Sequence, residues 1–161
     1  MKVGVISDTH IPKKTKELPK FVLDTFQGID SIIHAGDIMT IDVIYQLNEI
    51  APVTAVAGNN DSVHLHEILG SKKILDIGNF RIGITHGHGQ SGKTIDRVIK
   101  CFQEDEVNCI IFGHSHMPLS QVYKDILLFN PGSPTDKRRN KNYSFGILEI
   151  HESIHPHIVY F

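Results

Sequence analysis

The sequence predicts an α/β protein in which a largely parallel sheet is joined by further strands of mixed direction. Three observations carry that expectation. The first half of the 161 residues alternates short apolar runs with amphipathic stretches, the βαβ pattern of a parallel sheet covered by helices. Gly78-Asn79 then separates two strand-like runs as a hairpin turn. The last third reads as three or four short strands joined by polar turns.

Taken in order, strands are expected at about 2–7, 30–34 and 53–57, with helices at about 16–27 and 40–50 between them. The opening Val3-Gly4-Val5-Ile6 is apolar and β-branched without alternation, as in a strand buried on both faces. Pro19 falls near the start of the first helix, where no amide donor is needed. Strands at 73–77 and 80–85 flank the Gly78-Asn79 turn, followed by a helix at about 92–104 and a strand at 109–112. The remaining strands are expected at about 119–124, 126–129, 143–150 and 154–160. No internal repeat, low-complexity tract or linker interrupts the pattern. At 40% hydrophobic residues the chain can bury one substantial core, so residues 1–161 are expected to form one domain.

Composition narrows the function classes. A formal net charge of −2 provides no global field for nucleic acid or an anionic membrane, so no stable nucleic-acid complex is expected. Met1 to Ile6 lacks the basic flank and apolar length of a signal peptide, and no stretch approaches the roughly 18 apolar residues of a spanning helix. The expectation is a soluble cytoplasmic protein without membrane contact. Cys101 and Cys109 have no metal or redox spacing and lie in apolar surroundings, as structural thiols do. The charge run Asp136-Lys137-Arg138-Arg139-Asn140-Lys141 reads as a solvated loop; should it fold over a site, its basic residues are placed to bind an anion.

Histidine is the unusual residue, with 11 in the chain, several grouped beside Gly and Asp. Five apolar strands end in the same way: Ser7-Asp8-Thr9-His10, Ala35-Gly36-Asp37, Gly58-Asn59-Asn60-Asp61, His86-Gly87-His88 and Gly113-His114-Ser115-His116. Ligands bind beyond the carboxyl ends of strands in open α/β sheets, so the five loops should converge on one edge. Side chains at i and i+2 of an extended segment lie on the same side, so Asp8 with His10, and His114 with His116, are each expected to face one place. Taken singly, Asp37 is a helix cap, Asn59 a turn residue and His114 and His116 surface histidines; taken together they form a ligand set. Imidazole, carboxylate and amide without thiolate suit Mn²⁺, Fe²⁺, Co²⁺, Ni²⁺ or Zn²⁺ better than Ca²⁺ or a structural zinc. Seven ligands exceed the needs of one ion and fit two ions sharing one carboxylate.

Asp8-x-His10, Gly36-Asp37, Gly58-Asn59-x-Asp61, His86-Gly87-His88 and Gly113-His114-Ser115-His116 resemble, in order and spacing, the motif set of the calcineurin-like metallophosphoesterases. The short chain and Asn130-Pro131-Gly132-Ser133 are most similar to its small YfcE-like phosphodiesterases. The resemblance implies a four-layer αββα sandwich of two mixed sheets. By motif it also implies that Asp8, His10 and His116 hold one ion, that Asn59, His86 and His114 hold a second, and that Asp37 bridges both. His88 matches a motif histidine that touches substrate or supports a ligand, and His34 reads as buried support. Two divalent ions are therefore expected, Mn²⁺ first, with Ni²⁺, Co²⁺, Fe²⁺ or Zn²⁺ as alternatives.

The implied reaction is hydrolysis of a small phosphoester, a nucleotide among the candidates. Two ions roughly 3.5–4 Å apart activate a bridging water, neutralise phosphoryl oxygens and fix in-line attack. Ser7 and Ser115 then read as structural groups, and Asn130 and Ser133 either orient a substrate oxygen or loop or simply form a turn. Many relatives carry a histidine where this chain has Asn60, and an amide cannot protonate a leaving group. Asp61, His88 or water would have to replace it; YfcE-like members also lack that histidine. A rival reading comes from the non-enzymatic small retromer subunit, whose opening is similar to Asp8-Thr9-His10-Ile11-Pro12. The intact ligand set favours hydrolase over scaffold, and a homo-oligomer is compatible with either.

Overall fold

The computed structural model describes residues 1–161. Strands β1 (Lys2–Ile6), β2 (Ser31–His34) and β3 (Val53–Ala55) pair in parallel. Two late strands, β9 (Ser144–Ile150) and β10 (Ile154–Tyr160), add to them antiparallel, giving the order β10-β9-β1-β2-β3. The second sheet contains β4 (Lys72–Ile77), β5 (Phe80–Thr85), β6 (Cys109–Ile111), β7 (Leu119–Tyr123) and β8 (Ile126–Asn130) in the order β4-β5-β6-β8-β7. Its three central strands run parallel and its two edges antiparallel.

Period-two alternation explains how the sheets stack. Val3 and Val5 of β1, Ile33 of β2, Ile82 and Ile84 of β5, Cys109 and Ile111 of β6 and Phe129 of β8 meet in one core between the sheets. The opposite faces carry helices. On the first sheet, Ile6 and Ile32 pack with residues of α1 (Lys20–Thr25), α2 (Asp42–Asn48) and α3 (Val63–Leu69), among them Val22, Val43, Leu47 and Leu65. On the second, Ile110 and Leu128 pack with Val98 of α4 (Thr94–Cys101) and the adjoining Phe102. Helix, sheet, sheet, helix is the expected four-layer sandwich.

The helices are shorter than the sequence suggests, and one was not expected. Pro19 is the N-cap of α1, so the helix starts at Lys20 rather than near 16. Helix α3 follows the polar Asn59-Asn60-Asp61 turn, with Ser62 Oγ accepting from Leu65 N at 3.3 Å. Seven residues are too few for helical periodicity to stand out. Gly78 and Asn79 form the expected two-residue turn, since Ile77 pairs with Phe80. No helix is long and apolar enough to cross a membrane. Cys101 and Cys109 are both free, and burial pushes the Cys109 thiol up to about 12.

Candidate metal centre

The loops after β1, β2, β3, β5 and β6 meet beyond the strand ends. Main-chain bonds join the first two: Asp8 N donates to Gly36 O at 2.9 Å and His10 N to Asp37 O at 3.0 Å. The side chains do not converge through an extended i, i+2 pattern, as the sequence reading assumed. Asp8, His10, Asp37, His114 and His116 all have left-handed backbones, with φ between 47° and 66°. Non-glycine residues rarely adopt that conformation, at a cost on the order of 1 kcal/mol or more each, and such turns concentrate where a site demands them. Gly36, at φ +95°, completes the turn before Asp37, where a Cβ would come within 2.7 Å of His86 Nδ1.

Two groups of ligand atoms result: Asp8 with His10 and His116, and Asp8 with Asp37 and His86. His116 Nε2 lies 3.3 Å from both Asp8 Oδ1 and His10 Nε2. Asp37 Oδ2 stands between His10 Nε2 at 3.5 Å and His86 Nε2 at 3.3 Å. Asn59 Oδ1 and His114 Nδ1 are 3.0 Å apart, and the His114 ring meets His86 edge-on at 5.3 Å between centroids. Asp8, His10, Asp37, His86 and His116 are buried.

Hydrogen bonds fix the imidazole tautomers. His86 Nδ1 donates to Ala35 O at 2.8 Å and His116 Nδ1 to Asp136 O at 2.5 Å, which turns both Nε2 lone pairs toward the carboxylates. The buried His86 Nε2 has no hydrogen-bond partner. Lone pairs aimed at carboxylates across a buried space fit a divalent cation, and the absence of thiolate fits a borderline one. Protonation follows the same environment. Burial pushes Asp8 up to about 7, against the pull of His86, and pushes His114 and His116 down to about 4. His10 and His88 are also lowered, chiefly by burial. Burial opposes ionisation of Asp37, yet the His86 imidazole and the Asn60 donors outweigh it and hold that carboxyl below the usual range. His86 is raised because Asp37 and Asp8 outweigh its burial.

A family model described as the calcineurin-like phosphoesterase superfamily domain matches residues 1–153. The chain belongs to that superfamily. It is 38% identical over 138 residues to a probable metallophosphoesterase of Methanothermobacter thermautotrophicus, covering 86% of this chain and 80% of the relative. It is 30% identical over 146 residues to a phosphodiesterase of Methanocaldococcus jannaschii, covering 82% and 83%. Among solved structures, Vps29 of Entamoeba histolytica complexed with zinc superposes with a TM-score of 0.80 at 26% identity, covering 99% of both chains.

The remaining expected residues take distinct positions. Asp61 accepts four main-chain N–H groups: Oδ1 from Ile38 and Met39 at 2.8 and 2.6 Å, Oδ2 from Asp37 and Gly58 at 3.0 and 2.7 Å. Its carboxylate joins the loops after β2 and β3. His88 is exposed on the rim, 5.6 Å from His86 and 6.4 Å from His114 between ring centroids. Buried His34 bonds Thr9 Oγ1 through Nε2 at 3.1 Å and accepts from Gly36 N at 3.2 Å.

Asn130 and Ser133 hold loops: Asn130 Nδ2 donates to Gly113 O at 2.9 Å and Ser133 Oγ to Asp8 O at 2.8 Å. Ser7 Oγ bonds the Asp8 carboxylate. Sequence reading missed Asp136, whose carbonyl orients His116, and Arg97, whose Nε donates to Gly87 O at 2.9 Å beside the His88 loop. Neither carried a local signal, because each acts through residues distant or unremarkable in sequence.

Proposed function

We propose that this chain is a metal-dependent phosphodiesterase, its residues 1–161 working as one metallophosphoesterase domain that takes two divalent ions, Mn²⁺ first among the candidates. The partnerless His86 Nε2, facing Asp37 in a phosphoesterase fold, carries the reading. Asp8, His10 and His116 would hold one ion, Asn59, His86 and His114 the other, and Asp37, set between His10 and His86, both. When bound, such a pair supplies Lewis acidity toward phosphoryl oxygens and lowers the pKa of water.

The chain's own residues position the parts. Ala35 and Asp136 carbonyls orient two imidazoles, Asp61 holds the loop that carries Asn59, and His88 on the rim contacts substrate. Both Asp61 oxygens are engaged by main-chain donors, so a positioning role suits it better than proton transfer. Asn60, bonded to Asp37, lacks a transferable proton, which favours diesters with good leaving groups.

The test is metal-stripped protein refilled separately with Mn²⁺, Ni²⁺, Co²⁺, Fe²⁺ or Zn²⁺ and assayed on bis(p-nitrophenyl) phosphate and p-nitrophenyl phosphate. Turnover favouring the diester supports the reading. Two bound ions without turnover on any phosphoester would overturn it and leave a non-catalytic scaffold of the same fold.

A further inference from the structure

The segment after Ser133 does fold over the site. Thr135 Oγ1 donates to Thr9 O at 2.6 Å, the Asp136 carbonyl receives His116 Nδ1, and Asn140 Nδ2 donates to His116 O at 2.7 Å. Its charges are then sorted. Asp136 pairs with Lys14 at 3.2 Å. Lys137 turns aside, its Nζ donating to Lys141 O at 3.0 Å and lying 5.2 Å from the Tyr143 ring centroid. Arg138 and Arg139 are exposed, and neither guanidinium has a carboxylate or hydrogen-bond partner.

Both arginines line a cavity of about 460 Å³ with Ser115, Met117 and Asn140. Ser115 stands between His114 and His116 in the chain and Asn140 bonds His116 O, so the cavity adjoins the loop that carries both histidines. Across Ser115 and Met117 lies a second cavity of about 250 Å³, lined by the apolar side chains of Ile95, Phe112, Pro118 and Leu119 together with Lys93 and Thr94.

We infer that Arg138 and Arg139 form a subsite for a second anionic group of the substrate, so that the diester cleaved carries a further phosphate beside an apolar ring, the composition of a phosphorylated nucleotide. The inference rests on the phosphodiesterase reading above. Guanidinium forks suit phosphate through bidentate donation, and two unpaired ones at a cavity wall provide both charge and geometry. The apolar cavity next to them fits the ring portion of the same molecule.

The p-nitrophenyl ester of thymidine 5′-phosphate, with and without a 3′-phosphate, tests this on the metal-loaded protein. The wild type should prefer the 3′-phosphorylated diester at least tenfold in kcat/KM, through KM. Arg138→Gln/Arg139→Gln should abolish that preference, while Lys137→Gln, which removes a neighbouring positive charge of the same segment, keeps it. Calorimetric titration with thymidine 3′,5′-bisphosphate should show the same loss of binding relative to thymidine 5′-monophosphate. Thermal melts confirm that the variants fold, as exposed positions lead one to expect. Turnover of the plain diester with an undiminished preference in the double variant overturns the subsite and leaves the phosphodiesterase standing. No turnover of either diester overturns both.

Discussion

Asn60 grips Asp37 from two sides, its main-chain N donating to Oδ1 at 2.8 Å and its Nδ2 to Oδ2 at 2.7 Å. Oδ2 is also the oxygen that faces His10 and His86. Asn60 therefore orients the carboxylate at the middle of the candidate centre. Asp37→Asn keeps the shape but removes the charge that stands between His10 and His86. We expect kcat to fall by about 10² or more and the metal content to drop below that of the wild type, with the far-ultraviolet circular dichroism unchanged. Elemental analysis and steady-state kinetics on the same preparation check this.

Asp61 offers a different kind of test, because its consequence lies in stability. Asp61→Ala strands the N–H groups of Asp37, Ile38, Met39 and Gly58. Leaving buried donors unpaired should cost about 3 kcal/mol in denaturant unfolding. Asp61→Asn should recover part of that loss through its single carbonyl oxygen. Equal stability of both variants and the wild type would show that the clamp contributes nothing.

The strand ends were legible because burial and chemistry change abruptly within a few residues. Val5-Ile6 to Asp8 and Ile111-Phe112 to His114 each pass from core to ligand across a small residue, and Asp8, His10, Asp37, His86 and His116 do come together. The turn geometry was not legible: left-handed φ at five of the ligands is imposed by neighbouring loops, not by local propensity. Nor were the contacts of the late segment, since Ser133 reaches Asp8 across 125 positions. Helix α3 escaped because seven residues after a polar turn present too little periodicity.

The metal-free protein should lose stability in mild acid. Burial holds His34 at about 3 and His114 and His116 at about 4, so each is neutral when folded yet takes up a proton when unfolded below about 6.5. The unfolded chain then binds more protons, and unfolding free energy falls as pH drops from about 6.5 toward 4, by about 1.4 kcal/mol per pH unit for each group. Asp8, raised to about 7, works in the opposite direction throughout that window, and three histidines outweigh it. Urea unfolding of chelator-treated protein between pH 4 and 7 measures the slope. His34→Gln should flatten it.

The leaving group gives the most discriminating kinetic test. With Asn60 bonded to Asp37 and Asp61 engaged by four amides, the loop after β3 offers no group placed to release a proton. Negative charge must then build on the departing oxygen, so rates across a series of aryl diesters should fall steeply as leaving-group pKa rises, and alkyl diesters should react far more slowly. A flat dependence would mean that another donor acts, with His88 on the rim the first to replace, or that chemistry is not rate-limiting, which a pre-steady-state burst would reveal. Asn60→His supplies the converse. Its main-chain N still reaches Asp37 Oδ1, while the imidazole replaces the Nδ2 donor with one that can give up a proton near neutral pH. A gain confined to poor leaving groups would show an acid restored to the site, whereas a uniform loss would show that the Asn60 amide matters chiefly for holding Asp37.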